Sequence, residues 1–327
     1  MIADLISVVV PVYREQENIP LLVKEVASAL DDVAYELILV DDGSDDDTFA
    51  RIEDACQQNA CVTGIQLRRN FGQTAAMGAG FDAARGEYIV YMDGDLQTDP
   101  ADIPRLLQRL KADNLDMVNG WRRDRKDEGL KRNFPSRVAN ALIRTSTGLQ
   151  LHDYGCPMKL IRSEVAKNLR LYGEQHRFLP AMAALYGARI GEEVVAHRAR
   201  QFGESKYGLG RTIRVLVDLL LILFFQRFTD RPLQLFGTAG LLSFSAGFGI
   251  DLWLSLSKLF FDMELAGRPL LQFGSLLIIS GVLLFGIGLI MEMQVRIYYE
   301  SGNRRHYTIR RHIERTGNGG KYAEKKD

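Results

Sequence analysis

Short apolar runs rich in β-branched residues punctuate the first half of the chain, and residues 5–10, 35–40, 62–67 and 88–92 each read as a strand. Between them the apolar positions fall at helical spacing, as in 19–30. This alternation predicts an α/β fold with a doubly wound, mostly parallel sheet. Ligands bind such sheets beyond the carboxyl ends of the strands. Three polar clusters fall at those ends: Pro11-Val12-Tyr13-Arg14-Glu15, Asp41-Asp42-Gly43-Ser44 and Asp93-Gly94-Asp95.

The pattern changes near Arg211. Residues 233–254 and 270–293 are almost continuously apolar, and each is long enough for a hydrocarbon core that needs about 20 residues. Soluble helices of that length are seldom apolar on every face, which argues against two buried core helices. Arg211, Arg214, Arg227 and Arg231 precede the first stretch, and Arg296, Arg304, Arg305, Arg310 and Arg311 follow the second. The charges between the stretches balance. By the positive-inside rule this predicts a two-span hairpin in the cytoplasmic (inner) membrane, with the α/β domain and both termini cytoplasmic. The expected divisions are an α/β domain over 1–208, an interfacial helix over 209–231, two spans within 232–294 and a basic tail over 295–327. By composition, 316–327 reads as disordered.

The chain has 327 residues, is 46% hydrophobic and carries a formal net charge of zero, so nothing in its charge calls for a nucleic-acid partner. Cys56, Cys61 and Cys156 are an odd number without C-x-x-C spacing, which fits a reducing compartment better than a disulfide framework or a zinc site. The apolar stretch at the N-terminus stops by Pro11 and has no basic residues before it, so it reads as a first strand and not as a signal peptide.

The most informative chemistry is Tyr88 to Pro100, YIVYMDGDLQTDP, a buried strand that ends in two carboxylates one residue apart. Such a pair can hold a hard divalent cation through oxygen, and a cation held this way commonly also grips substrate phosphates. The plainer alternative is helix and turn capping, the role expected of Asp99 and of Ser44 before the DDDTF segment. Met77 to Ala83 contains G-x-G-x-x-A but does not directly follow a strand, so it reads as a helix with small residues packed on the sheet rather than as a dinucleotide fingerprint. Arg122 opens a basic run after a strand at 117–118, where it is either a solvated face or a neutraliser of phosphate charge. Arg137, Arg198, Arg200 and Lys206 add to that basic supply. Asp153 is either a catalytic carboxylate or a turn residue. His176 and His197 lack ligand spacing and are expected to be structural.

Taken together, PVYREQENI, VDDGSDDDT, RNFGQTAAMGAGF, MDGDLQTDP, HDYGCPMKL, RQFGESKYG and the C-terminal hairpin resemble the family 2 glycosyltransferases of GT-A fold, specifically the polyisoprenyl-phosphate sugar transferases. The bacterial undecaprenyl-phosphate formamidoarabinose transferases are the nearer likeness, and the dolichol-phosphate mannose synthases a more distant one. The resemblance covers nearly the whole chain. It implies transfer of a sugar from a nucleotide-sugar, a UDP-sugar ahead of a GDP-sugar, to a polyisoprenyl phosphate, with Mg²⁺ or Mn²⁺ as cofactor. By position it implies that Pro11, Tyr13, Glu15 and Asp42 hold the nucleoside and that Asp93, Asp95 and Gln97 form the metal and diphosphate site. Arg122, Arg137, Arg200 and Lys206 would surround the donor and acceptor phosphates, and Asp153 matches a catalytic carboxylate. Gly94 stands where Ala is common, a change expected to be harmless, and Arg14 replaces a frequent Asn. The DYGCPMKL segment differs in length from that of the mannose synthases, which leaves Asp153 open as a base. Membrane lipids are the remaining expected partner, and a homo-oligomer is left open. Two other functions share the carboxylate pair: a processive polysaccharide synthase, whose usual Q-x-x-R-W is not matched by Gln175-His176-Arg177-Phe178, and a membrane-bound nucleotide-sugar binding protein without turnover.

Overall fold

A computed structural model of the chain describes residues 2–123, 149–169, 175–198, 232–261, 269–300, 307–315 and 322–325. These fall into two compact units, one holding the first part of the chain and its C-terminal end, the other holding the apolar helices.

The first unit is built on a sheet of β1 (Ile2–Val12), β2 (Tyr35–Asp41), β3 (Val62–Leu67), β4 (Gly86–Tyr91), β5 (Met117–Trp121), β6 (Lys159–Arg162), β7 (Ile190–Val194), β8 (Ile309–Arg315) and β9 (Tyr322–Lys325). Their order across the sheet is β7-β5-β6-β4-β1-β2-β3-β8-β9. Only β6 and β8, among the described strands, run against the common direction. The helices are α1 (Ile19–Ala29), α2 (Thr48–Gln58), α3 (Gln73–Ala83), α4 (Ile103–Ala112), α5 (Ser163–Asn168) and α6 (Leu179–Leu185).

Alternation along the strands separates two apolar layers. Ile6, Val8, Val10 and Val12 of β1 join Leu37 and Leu39 of β2 in a core with Leu22 and Val26 of α1 and Ile52 of α2. Val9, Ile38, Val40, Ile89 and Tyr91 face the other way, with Ala76, Met77 and Ala79 of α3. Full burial of each such Val or Ile side chain contributes about 1.5–3 kcal/mol. Helices therefore cover both faces. The chain winds outward from β1 through β2 to β3 and then crosses back to β4 on the other side of β1, so β1 and β4 flank the point where strand order reverses. A ligand crevice opens at that point in open α/β sheets.

Three details differ from the sequence expectation. β1 runs past Pro11 to Val12, because its pairing with β4 ends at Val9–Tyr91 and the missing N–H of Pro11 faces no partner strand. The antiparallel strands β6 and β8 were not expected, since KLIR and IRRHIER mix charge into short apolar patterns. Part of the tail expected to be disordered, Tyr322–Lys325, forms β9, because β8 supplies an edge for it to pair with and β8 in turn covers the edge of β3. The expected helix at 75–84 is α3, and Gly80 within it lies against Val9, where an added Cβ would stand 2.2 Å from Cγ1.

The second unit contains α7 (Pro232–Phe261) and α8 (Pro269–Glu300). Leu233–Phe260 and Pro269–Gln294 are long and apolar enough to cross a membrane. Leu241, Leu242, Leu259, Phe260, Leu276 and Leu283 are among many large apolar side chains left exposed. A core helix of a soluble protein would bury such a surface; a bilayer would cover it. Ser243 Oγ donates to the Leu277 carbonyl at 2.9 Å and Ser275 Oγ to Asp251 Oδ2 at 3.1 Å, so these two side chains bond between the helices. Arg137, Arg200, Lys206 and the expected interfacial segment 209–231 lie outside the described residues.

Candidate active site

The loops after β1, β2, β3, β4 and β5 meet at the carboxyl edge of the sheet. After β1, Arg14 takes a positive φ of 56° and its guanidinium forms a paired contact with Asp45, at 2.6 Å from Nε and 2.5 Å from Nη2. Its backbone N–H donates to Ser44 Oγ at 2.9 Å. Ser44 therefore does not cap α2 as its position suggests; it ties the first loop to the second, while Thr48 N–H is met by Asp46 at 3.0 Å. Asp99 does cap, accepting from Ala101 N–H at 3.0 Å. The Glu15 carboxylate accepts from the Asn18 amide, and Tyr13 lies half-buried with the Arg14 guanidinium 5.3 Å from its ring centre.

Asp42 is buried, and each of its carboxylate oxygens accepts a backbone N–H from the loop after β3: Phe71 at 2.8 Å and Gly72 at 2.9 Å. Burial pushes its carboxyl above the usual range while these two bonds oppose the shift. Asp42 thus fixes the backbone from which α3 begins.

Asp93 follows β4 and is partly buried. Burial, together with the neighbouring charge of Asp95, raises its carboxyl to about 6. Oδ1 accepts from Gln73 Nε2 at 2.7 Å and from Tyr91 Oη at 3.2 Å. Asp95 is buried and accepts the Gln97 N–H at 3.2 Å, and Leu96 between them adopts a φ of 59°, a strained conformation for a branched side chain. Gly94 is not a harmless substitute for Ala: an added Cβ would stand 2.6 Å from the stiff Val12 Cγ1. Its absence lets the loop lie directly on β1.

Arg122, whose charge acts on Asp93, forms a two-bond ion pair with Asp153. Burial opposes the Arg122 charge, but the carboxylate more than offsets it and holds the guanidinium protonated. Glu192 of β7 accepts the backbone N–H groups of both His152 and Asp153 at 3.0 Å, so the pair hangs from a strand. Lys159 of β6 is 1% exposed, and burial holds its ammonium below the ordinary lysine value. Its Nζ donates to the Cys156 carbonyl. Arg198 is not part of an open basic supply: it pairs with Glu25 at 2.9 Å and with Asp99. His176 is structural, with Nδ1 2.9 Å from Thr74 Oγ1.

The structure thus brings Pro11, Tyr13, Glu15, Asp42, Asp93, Asp95, Gln97, Arg122 and Asp153 to one edge of the sheet. Gln73, Tyr91 and Lys159 were not anticipated; Gln73 directly follows the RNFG segment, while Lys159 is hidden within the apolar run MKLI. Two adjacent carboxylates, one unusually prone to hold a proton, fit a hard cation that would relieve their repulsion. Among the described residues no three His, Cys, Asp or Glu side chains are grouped to hold a metal alone, so further ligands would come from an amide, water or a substrate phosphate.

The family described as glycosyl transferase family 2 matches residues 7–170, which span every one of these loops. The chain belongs to glycosyl transferase family 2. Its catalytic unit has the GT-A fold and the protein is a glycosyltransferase. Similar proteins include the dodecaprenyl-phosphate galacturonate synthase of Rhizobium johnstonii, 43% identical over 93% of this chain and 92% of its own length. The undecaprenyl-phosphate 4-deoxy-4-formamido-L-arabinose transferase of Pseudomonas paraeruginosa is 36% identical over 79% of this chain and 75% of its own. The glucosyl-3-phosphoglycerate synthase of Mycobacterium tuberculosis, solved with Mn²⁺ and UDP-glucose, shares the fold at a TM-score of 0.52 and 22% identity, covering 67% of this glycosyltransferase and 79% of that chain.

Proposed function

We propose that this family 2 glycosyltransferase moves a sugar from a nucleotide-sugar, a UDP-sugar ahead of a GDP-sugar, onto a polyisoprenyl phosphate, undecaprenyl phosphate foremost, at the cytoplasmic face of the membrane. The observation that carries this is the presence, in one chain, of the Asp93–Asp95 carboxylate pair and of two helices whose exposed apolar surface suits a bilayer. The relatives named above act, by their names, on dodecaprenyl and undecaprenyl phosphates.

Asp93, Asp95 and Gln97 are assigned to Mg²⁺ or Mn²⁺. When bound, the cation supplies positive charge to the leaving diphosphate. Asp42 acts by pinning the loop that borders the nucleoside end, where Pro11, Tyr13 and Glu15 lie. Arg122 offers to a phosphate the N–H groups that Asp153 does not engage, and the resemblance assigns Arg137, Arg200 and Lys206 to the donor and acceptor phosphates as well. In the transfer itself an acceptor phosphate oxygen bonds to the anomeric carbon as the bond to the diphosphate oxygen breaks, inverting that centre. A phosphate monoester with a second pKa of about 6 is mostly dianionic at pH 7, so no strong base is required. Asp153 is then the positioning residue of Arg122. The catalytic unit and both termini lie in the cytoplasm, and the two helices span the inner membrane.

A thermal-shift panel of nucleotide-sugars, with and without Mn²⁺, tests the donor side. A UDP-sugar that stabilises the protein only when Mn²⁺ is present supports this function; indifference to every nucleotide-sugar with metal present opposes it.

A further inference from the structure

We infer that Gln73 is the positioning residue of the Asp93 carboxylate, selecting which of its oxygens meets the cation and the donor diphosphate. The inference rests on the assignment of Asp93 to the metal site. Gln73 Nε2 lies 2.7 Å from Asp93 Oδ1 and 2.7 Å from Tyr91 Oη, and Tyr91 Oη lies 3.2 Å from the same Oδ1. The protons account for themselves. One amide N–H goes to the phenol oxygen and the other to Oδ1, and the phenol proton also goes to Oδ1. Turning the amide over would set its carbonyl oxygen against a carboxylate oxygen, so Asp93 itself fixes the orientation. Oδ1 is thereby taken up by two donors, while Oδ2 accepts no hydrogen bond among the described residues. The carboxylate presents Oδ2 and cannot rotate freely.

Gln73 is itself held from both sides in sequence. Phe71 and Gly72, just before it, donate their N–H groups to Asp42, and Thr74, just after it, bonds His176. Side chains from the end of β2 and from the turn before α6 therefore fix the first turn of α3, and α3 fixes the amide. A connection runs from Asp42, at the nucleoside end, through Gln73 to Asp93, at the diphosphate end. A purely structural partner for the buried Tyr91 hydroxyl would need no carboxylate, yet the amide serves both.

The test is Mn²⁺ titration of the full chain in detergent, read by electron paramagnetic resonance with Mn²⁺ as the only added ligand. Groups that orient a metal ligand typically alter affinity about 10–100-fold. Gln73→Met keeps length and helix propensity but removes both donors; it is expected to weaken Mn²⁺ about tenfold. In transfer assays its apparent KM for Mn²⁺ rises by a larger factor than its kcat falls. Tyr91→Phe removes one donor to Oδ1 and is expected to weaken Mn²⁺ to a smaller degree, which keeps the test decisive should Gln73→Met not fold. Wild-type Mn²⁺ affinity in a folded Gln73→Met, or in Tyr91→Phe if only that variant folds, overturns the inference. Asp93→Asn separates the two levels: if it leaves Mn²⁺ affinity intact, the assignment of the metal site fails; if it abolishes binding while Gln73→Met does not alter it, only the role of Gln73 fails.

Discussion

Arg122 and Asp153 face each other edge to edge, Nε to Oδ2 at 2.7 Å and Nη2 to Oδ1 at 3.1 Å, with side chains 9% and 11% exposed. A carboxylate engaged at both oxygens by a guanidinium is poorly suited to take a proton from an acceptor. It is well suited to aim the cation. Removing it with Asp153→Ala should cost about 3–5 kcal/mol of stability, since a buried arginine is left without its partner. The milder Asp153→Asn should raise the KM for lipid phosphate more than it lowers kcat. Steady-state kinetics against lipid phosphate distinguish this from a base, whose loss would collapse kcat at constant KM.

Asp93 is costly to the metal-free protein at neutral pH. Its folded carboxyl titrates at about 6, above an unfolded value of about 3.9, so between those pH values the native state holds more protons than the unfolded one. Its contribution to stability therefore falls as pH rises through that window, and the penalty is complete above it. After allowance for the face open to water, the shift corresponds to about 2 kcal/mol. Asp93→Asn in EDTA at pH 7 should accordingly melt higher than wild type by calorimetry, with the gain vanishing near pH 4. In wild type, Mn²⁺ affinity should fall below about pH 6, where protons compete for the same carboxylate.

Gly94→Ala places a methyl 2.6 Å from Val12 Cγ1, and overpacking of this kind costs about 1–3 kcal/mol. The loop must lift from β1, carrying Asp93 and Asp95 with it. Both melting temperature and Mn²⁺ affinity should drop, and a second change, Val12→Ala, should restore part of each. Additive losses in the double variant would contradict direct contact.

The α/β unit needs the end of the chain. β8 covers β3 through Gly64–Ile313, Ile65–His312 and Gln66–Arg311, and Tyr307 Oη reaches Asp82 at 2.6 Å. A fragment ending at residue 208 leaves β3 as an open edge. It should aggregate more and melt lower than the same fragment fused to 305–327 through a flexible linker. Equal melting temperatures would show that β8 is dispensable.

How much of this was written in the sequence depends on the range of the interaction. Strands β1 to β4 and the two long apolar helices were legible because their signals are local: period, length and uninterrupted apolarity. β8 was not, since IRRHIER becomes a strand only against an edge more than 240 residues earlier in the chain. The same holds within the site. Asp93 and Asp95 stand out as a motif, whereas Gln73 gains meaning only when α3 crosses back to β4. Asp42 stands out because it ends a strand, but its bonds to the Phe71 and Gly72 amides appear only once the loop after β3 is placed beside it. Arg198 looked like spare positive charge until Glu25 and Asp99 met it in space.

The function is tested most directly by transfer of labelled sugar from a panel of UDP- and GDP-sugars to undecaprenyl phosphate by the full chain in lipid vesicles. Product is counted in the organic phase, with Mn²⁺ or Mg²⁺ against EDTA and with Asp95→Asn alongside wild type. The expected result is a lipid-extractable product from one donor, lost in EDTA and reduced at least a hundredfold in a folded Asp95→Asn, the order expected when a group stabilising developing charge is removed. Transfer by Asp95→Asn at the wild-type rate would contradict it.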